Sequence, residues 1–228
     1  MVGRRLLMCV LLICASMIAT RVAANDFETC FKEARDVAIA ACTRIIASGQ
    51  LWGQSLAATY YNRGVTWYDE GEYDRAIEDY DQAIKFNPRF EQALFSRGNA
   101  HDAKGQYDRA IQDYDSAIAI NPDYAKVFNN RGYVWDEKGE YDRAVQDYDR
   151  AIALNPRYAQ AINNRGVTFF KRGQYDRAIR DYDRAIKLDP TYAAAFFNRG
   201  IAKLKKGETR EAHADIAVAT ALNPELAK

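Results

Sequence analysis

The 228-residue sequence is 48% apolar and 28% charged, the balance of a folded chain with material for a core. Its 32 basic and 31 acidic residues leave a formal charge of +1, and acids and bases alternate along the same segments. That excludes the basic face of a nucleic-acid binder and any whole-molecule attraction to an acidic membrane surface.

The start of the chain stands apart from the rest. Arg4 and Arg5 precede the apolar run Leu6 to Ala19, and Val22-Ala23-Ala24 follows. A basic start, an apolar stretch and small residues make the layout of a secretory leader, so residues 1–24 are read as a signal peptide cleaved after Ala24. The run falls short of the ~20 residues that span a bilayer, so no membrane span is expected after cleavage. The mature chain is then expected to be periplasmic or secreted. Losing Arg4, Arg5 and Arg21 would take the formal charge from +1 to −2.

Cys9 and Cys14 would leave with the leader, and Cys30 and Cys42 would remain. An oxidising compartment allows one internal disulfide, and two buried free thiols are the alternative. A closed loop of that size would stabilise by roughly 3 kcal/mol on the chain-entropy picture. Residues 25–56 read as a helical cap, because Ala38-Ile39-x2-Cys42-x2-Ile45-Ile46 follows the same pattern as Ala76-Ile77-x2-Tyr80-x2-Ala83-Ile84. Cys42 thereby takes the inward aromatic place, opposite Cys30 across a turn near Asp36.

From there a repeat governs the chain. Asn62-Arg63-Gly64, Ser96-Arg97-Gly98, Asn130-Arg131-Gly132, Asn164-Arg165-Gly166 and Asn198-Arg199-Gly200 follow one another at a constant 34-residue step. Pro88, Pro122, Pro156, Pro190 and Pro224 keep the same step, and no insertion breaks it. A fixed period of this size marks a solenoid, in which each unit buries its apolar face against a neighbour. Within one unit, Tyr73, Ala76, Ile77, Tyr80, Ala83 and Ile84 form the stripe of an amphipathic helix. Asn87-Pro88 ends it, since proline disfavours helical geometry in the residue before it. A first helix over about Ala57 to Glu70 precedes it, joined through a turn at Gly71.

Tyr60-x2-Arg63-Gly64-x2-Trp67, Ala76-x3-Tyr80 and Pro88 resemble the signature of the tetratricopeptide repeat, and the later units repeat it. The resemblance implies an all-α fold: an α-solenoid of antiparallel helix pairs, a superhelix, behind the N-terminal helical cap. Five units are expected, at 57–90, 91–124, 125–158, 159–192 and 193–226. Glycine and alanine fall where two helices cross, and aromatic residues such as Trp67 and Tyr80 fill the groove beside them.

Two features depart from the family pattern. Arginine replaces the usual leucine at Arg63, Arg97, Arg131, Arg165 and Arg199, and an aspartate follows sixteen residues later at Asp79, Asp113, Asp147, Asp181 and Asp215. A ladder of Arg–Asp pairs is expected, fixing register more than adding stability. The fifth unit also loses its aromatic residues, with Lys203, Thr209 and Ile216 where Phe169, Tyr175 and Tyr182 stood, and reads as a closing cap.

Catalytic chemistry finds little support in these residues. Asp79-Tyr80-Asp81 has the form of a metal-holding Asp-x-Asp, yet it recurs at the structural period, as a catalytic motif has no reason to. His101 stands in an aromatic packing place, and His213 has no nucleophile or second imidazole at useful spacing. No phosphate loop, nucleophile elbow or zinc spacing is present, so no enzyme, cofactor or metal is expected.

The family resemblance implies that a partner lies along the first helices, on a strip comprising Tyr61, Phe95, Asn99, Asp102, Asn129, Tyr133, Asp136, Asn163, Phe170, Phe197 and Leu204. Aromatic rings there would give contact area and asparagines would hydrogen-bond an extended backbone. The family's grip on a terminal carboxylate is not expected, because Phe95, Gln160 and Asn164 occupy the cationic places. Charge shifts from Asp69, Asp102, Asp136 and Glu137 to Lys171, Arg172, Lys203, Lys205 and Lys206, which suggests a ligand with a matching gradient. The expected function is a non-enzymatic adaptor that holds a protein or extended peptide in the bacterial envelope. The alternatives are a self-associating homo-oligomeric module and an accessory subunit of an envelope enzyme.

Overall fold

The computed structural model describes residues 26–32 and 35–227, so the leader read at 1–24 lies outside the described residues. Among those residues all regular structure is helical, in two compact units divided between Arg109 and Ala110. The first unit contains a helical stretch at 26–32 (α1), then α2 (Arg35–Ser48), α3 (Gly53–Asp69), α4 (Tyr73–Phe86), α5 (Glu91–Ala103) and the start of α6 (Tyr107–Ile120). The second contains the rest of α6, then α7 (Ala125–Glu137), α8 (Tyr141–Leu154), α9 (Ala159–Lys171), α10 (Tyr175–Leu188), α11 (Ala193–Lys206), α12 (Thr209–Leu222) and a 3-10 turn at Pro224–Ala227.

Local chemistry sets the ends of these helices. After α3 the chain passes through Gly71 at φ 77°, a left-handed conformation that strains any residue with a Cβ. The Gly71 and Glu72 amides then donate to the Tyr68 and Trp67 carbonyls, closing the helix end. At the other end of a pair, Asn87 is extended at φ −140° before Pro88, so α4 stops at Phe86. Helix α3 starts at Gly53, one turn ahead of the expected Ala57. The cause is local: the place of Pro88 one period earlier is Gln54, which lets the helix run back.

Helices within a pair approach closely because glycine faces a tyrosine ring. A Cβ added at Gly64 would meet Tyr80 Cε1 at 2.8 Å, and at Gly166 it would meet Tyr182 Cε1 at 2.7 Å. Tyr80, Tyr148 and Tyr182 are buried, and burial pushes each phenol well above its ordinary range. Between pairs of the second unit the core continues through Phe128, Ile152, Ala161, Ile162, Ala185 and Ala195. Neighbouring pairs thus share one apolar layer, as a serial array requires.

The arginines lock this stacking in two directions. Arg63 donates from Nε and Nη2 to both oxygens of Asp79, each at 2.7 Å. Arg131 and Asp147, Arg165 and Asp181, and Arg199 and Asp215 repeat the bidentate pair. The remaining Nη1 reaches the preceding pair: Arg97 donates to Asp81 at 2.5 Å, Arg199 to Asp183 at 2.7 Å, and Arg131 and Arg165 to Asp115 and Asp149. Arg165 on α9 therefore holds Asp181 on α10 and Asp149 on α8 at once. At the head of the array the cap offers a hydroxyl instead, and Arg63 Nη1 donates to Thr43 Oγ1 at 3.0 Å.

Two contacts tie α1 to α2. Cys30 and Cys42 form a disulfide with their sulfurs 2.06 Å apart, and Arg44 donates from Nε and Nη2 to Asp26 at 2.9 and 2.5 Å. The Arg44 hydrogen bonds hold the Asp26 carboxyl below its ordinary range.

Candidate functional site

The first helix of a pair presents three places about one turn apart on one face. In the second unit these are Asn129, Tyr133 and Asp136 on α7, Asn163 and Phe170 on α9, and Phe197 and Leu204 on α11. Tyr61 on α3 and Phe95, Asn99 and Asp102 on α5 hold the matching places in the first unit.

Not all of these side chains face outward. Asn129, Asp136 and Asn163 are buried, because the fold uses their polar groups internally. Asn198 Nδ2 donates to Asn163 Oδ1 at 3.1 Å, and Asn164 Nδ2 donates to Asn129 Oδ1 at 3.2 Å. Within each dyad Asn129 Nδ2 donates to Asn130 Oδ1 at 3.0 Å and Asn163 Nδ2 points to Asn164 Oδ1 at 3.5 Å. The amides of α7, α9 and α11 thus form a ladder in which Asn164 and Asn198 donate back to the earlier pair while Asn129 and Asn163 donate within their own helix. Unpaired, each buried amide would cost about 1–3 kcal/mol, so the ladder satisfies the backs of these helices. Asp136 accepts from Thr168 Oγ1 at 2.7 Å and pairs with Lys171, which also reaches Glu137 at 3.3 Å.

The surface left for a partner is correspondingly more aromatic. Tyr133 is 44% exposed and Leu204 38%, with Phe170 and Phe197 partly exposed on the neighbouring helices. In the first unit Tyr61, Phe95, Asn99 and Asp102 are partly buried, and the Tyr61 ring packs 5.0 Å from Phe90. The expected charge gradient is largely neutralised within the second unit. Lys171 faces Asp136 and Glu137, Arg172 faces Asp142, Lys203 faces Asp215, and Lys206 faces Asp176 and Glu208. The partners of Lys171 and Arg172 lie 30 to 35 residues away in the chain, which short-range reading of charge overlooks.

Other side chains read from the sequence have structural uses. Each member of Asp79-Tyr80-Asp81 has one: Asp79 takes Arg63, Tyr80 lies under Gly64, and Asp81 takes Arg97. His101 is buried with Nδ1 2.7 Å from Gln106 Oε1. At the same phase Trp67, Trp135 and Phe169 lie beneath the guanidinium groups of Arg75, Arg143 and Arg177, at 4.7, 4.6 and 4.2 Å. Sequence reasoning missed these stacks, although the eight-residue step from ring to arginine is constant.

In the last pair Lys203 replaces the ring and donates to Asp215 Oδ2 at 2.8 Å. Burial pushes the Asp215 carboxyl up, but the hydrogen bonds from Arg199 and Lys203 outweigh it and hold the group below its ordinary range. At Asp147, which has no such lysine, burial wins and the carboxyl rises. A carboxyl depressed on folding stabilises fully above its unfolded pKa of about 3.9, and that stability disappears as pH falls through the folded value. Lys203→Met should therefore move the Asp215 titration upward, toward that of Asp147. Carboxyl NMR would read the shift, and an unchanged Asp215 would contradict the assignment.

Three family profiles match the chain: one described as TPR repeat at 103–135 and 168–207, and two described as tetratricopeptide repeat at 57–90 and 125–158 and at 79–112 and 147–180. Together they run without a gap from 57 to 207. No curated protein matches by sequence. Among solved structures, one of MamA is 26% identical with a TM-score of 0.64, over 72% of this chain and 96% of that one. A tetratricopeptide repeat protein from Parabacteroides merdae, 19% identical, superposes with a TM-score of 0.74 over 91% of this chain and 84% of that one. YrrB, described as a TPR protein with an unusual peptide-binding site, is 23% identical with a TM-score of 0.61, over 80% and 92%. Among the described residues no helix is long and apolar enough to cross a membrane.

Proposed function

This chain belongs to the tetratricopeptide repeat family, and from that premise we propose that it is a non-catalytic adaptor holding a protein or extended peptide against the first helices of its pairs. The observation that carries the reading is the division of labour on those helices. Asn129, Asp136 and Asn163 are bonded within the array, to Asn164, Thr168 and Asn198, while Tyr133, Phe170, Phe197 and Leu204 keep part of their surface exposed. Aromatic side chains of this kind supply large contact area at low entropic cost, and interfaces concentrate their energy in a few such anchors. The peptide-binding site in the description of YrrB supports the same class of role by analogy. The leader-like segment at 1–24 supports work in the bacterial envelope or outside the cell.

Affinity capture from an envelope extract tests this directly. A Tyr133→Ala/Phe170→Ala double variant should lose its partner by about tenfold or more, the scale of removing interface anchors. Equal capture by the double variant and the parent chain would refute the reading. Self-association is the second reading, favoured by Val218 and Leu222 on α12, which are 41% and 42% exposed. Light scattering of a dimer that Val218→Asp dissolves would favour it instead.

A further inference from the structure

A side chain that the fold requires recurs at the 34-residue period, so one that breaks the period has some other use. Along α10, Arg177, Arg180, Arg184 and Lys187 follow at steps of three, four and three residues, which places them on one helix face. All four are exposed. Two of them have counterparts with the same task in α8. Arg143 stacks on Trp135 as Arg177 stacks on Phe169, and Arg150 and Arg184 donate to the Pro122 and Pro156 carbonyls. Arg180 has no such counterpart: Glu78, Gln112, Gln146 and Ala214 hold its place in the other second helices. Its guanidinium forms no hydrogen bond or ion pair among the described residues. Only α10 is basic at all four places.

The acids of α10 do not neutralise this stripe, because neighbouring helices already hold them. Arg165 of α9 takes Asp181, while Arg199 and Lys206 of α11 take Asp183 and Asp176. Beside the stripe lies a cleft of about 290 Å³, lined by Asp149, Arg165, Phe169, Arg177, Arg180 and Asp181. Arg165 is spent on both carboxylates, so Arg177 and Arg180 supply positive charge that nothing in the cleft cancels. The Arg177 guanidinium lies 4.2 Å from the Phe169 ring centre, and its Nη1 donates to the neutral Gln174 Oε1 at 3.0 Å. A guanidinium held in this way is oriented before an anion arrives and loses less freedom on binding it.

We infer that the outer face of α10 docks an acidic segment of a protein partner. One carboxylate of the segment enters the cleft and accepts hydrogen bonds from Arg177 and Arg180, and further carboxylates meet Arg184 and Lys187. The stripe is about 15 Å long, enough for several acidic residues in succession. It shares no residue with Tyr133, Phe170, Phe197 and Leu204, so it is a second surface that goes beyond the adaptor reading.

Fluorescence anisotropy of labelled hexaglutamate on the disulfide-intact protein, with hexaglutamine and inorganic phosphate as competitors, tests it. Hexaglutamate should bind with a Kd that rises with salt, and hexaglutamine should not displace it. Arg180→Gln should weaken binding about fivefold, the upper range for one exposed ion pair. Glutamine holds the same place in α6 and α8, so the helix tolerates it, and an unchanged melting curve verifies the fold. Lys126→Gln removes an equal charge from an exposed place on α7 and should bind as the parent chain does. Equal weakening by the two variants would reduce the effect to net charge and overturn the inference. Phosphate that displaces hexaglutamate at equal concentration would also overturn it, since a single ion would then suffice. Tyr133→Ala/Phe170→Ala should leave hexaglutamate binding intact, so failure of this surface and failure of the adaptor reading are distinguishable.

Discussion

Arg165→Met should destabilise the second unit by about 3–5 kcal/mol, the range for stranding one member of a buried ion pair. Asp181 is only 6% exposed, and both its oxygens accept from Arg165, at 2.7 and 2.8 Å. The methionine would fill most of the arginine stem's volume, so lost packing contributes little and the stranded carboxylate dominates. Asp149, which is exposed, would rehydrate and add little to the loss. Adding Asp181→Leu to Arg165→Met should restore most of the stability, because a buried pair exchanged for apolar groups is often neutral or better. Urea unfolding of the two variants reads the difference. A double variant as unstable as the single one would show that packing, not charge, sets the cost.

The second large effect is expected at Tyr182. Truncation to alanine should cost about 3–5 kcal/mol by analogy with buried phenylalanine, since the ring is almost wholly enclosed and the space it leaves is bounded by rigid helices. Its environment includes Phe169, Ala178 and Ala202, so the loss is felt by α9, α10 and α11 together. The complementary change, Gly166→Ala, places a methyl where the Tyr182 ring already lies and should overpack the crossing by about 1–3 kcal/mol. Combining Gly166→Ala with Tyr182→Leu should be less harmful than the sum of the two, because the smaller side chain opens the space the methyl needs. Thermal or urea denaturation of the four proteins measures this coupling. Strict additivity would mean that the glycine and the ring do not share the crossing.

How far these features could be read beforehand depended on distance along the chain. The 34-residue step and the sixteen-residue spacing from Arg165 to Asp181 are short and regular, so the helix pairs and one side of each arginine clamp were legible. The other side was present in the same numbers, since Asp149 also precedes Arg165 by sixteen residues, but an Asp-x-Asp triplet draws attention to metals first. The early start of α3 followed from an absence, the missing proline at Gln54, which a search for recurring residues passes over. The binding strip was the least legible. Asn129 and Asn163 have the right phase for a partner's backbone, yet burial turns them toward Asn164 and Asn198 instead. Burial depends on how one pair rests on the next, and no single repeat contains that information.

Because Arg165 touches three helices, hydrogen exchange in Arg165→Met asks most directly whether stability resides between successive pairs. Protection should fall in α8 as well as in α9 and α10, since Ala151 and Ile152 of α8 share one apolar layer with Ala161 and Ile162 of α9 and Ala185 of α10. Loss confined to α9 and α10, with α8 as protected as in the parent chain, would contradict that account.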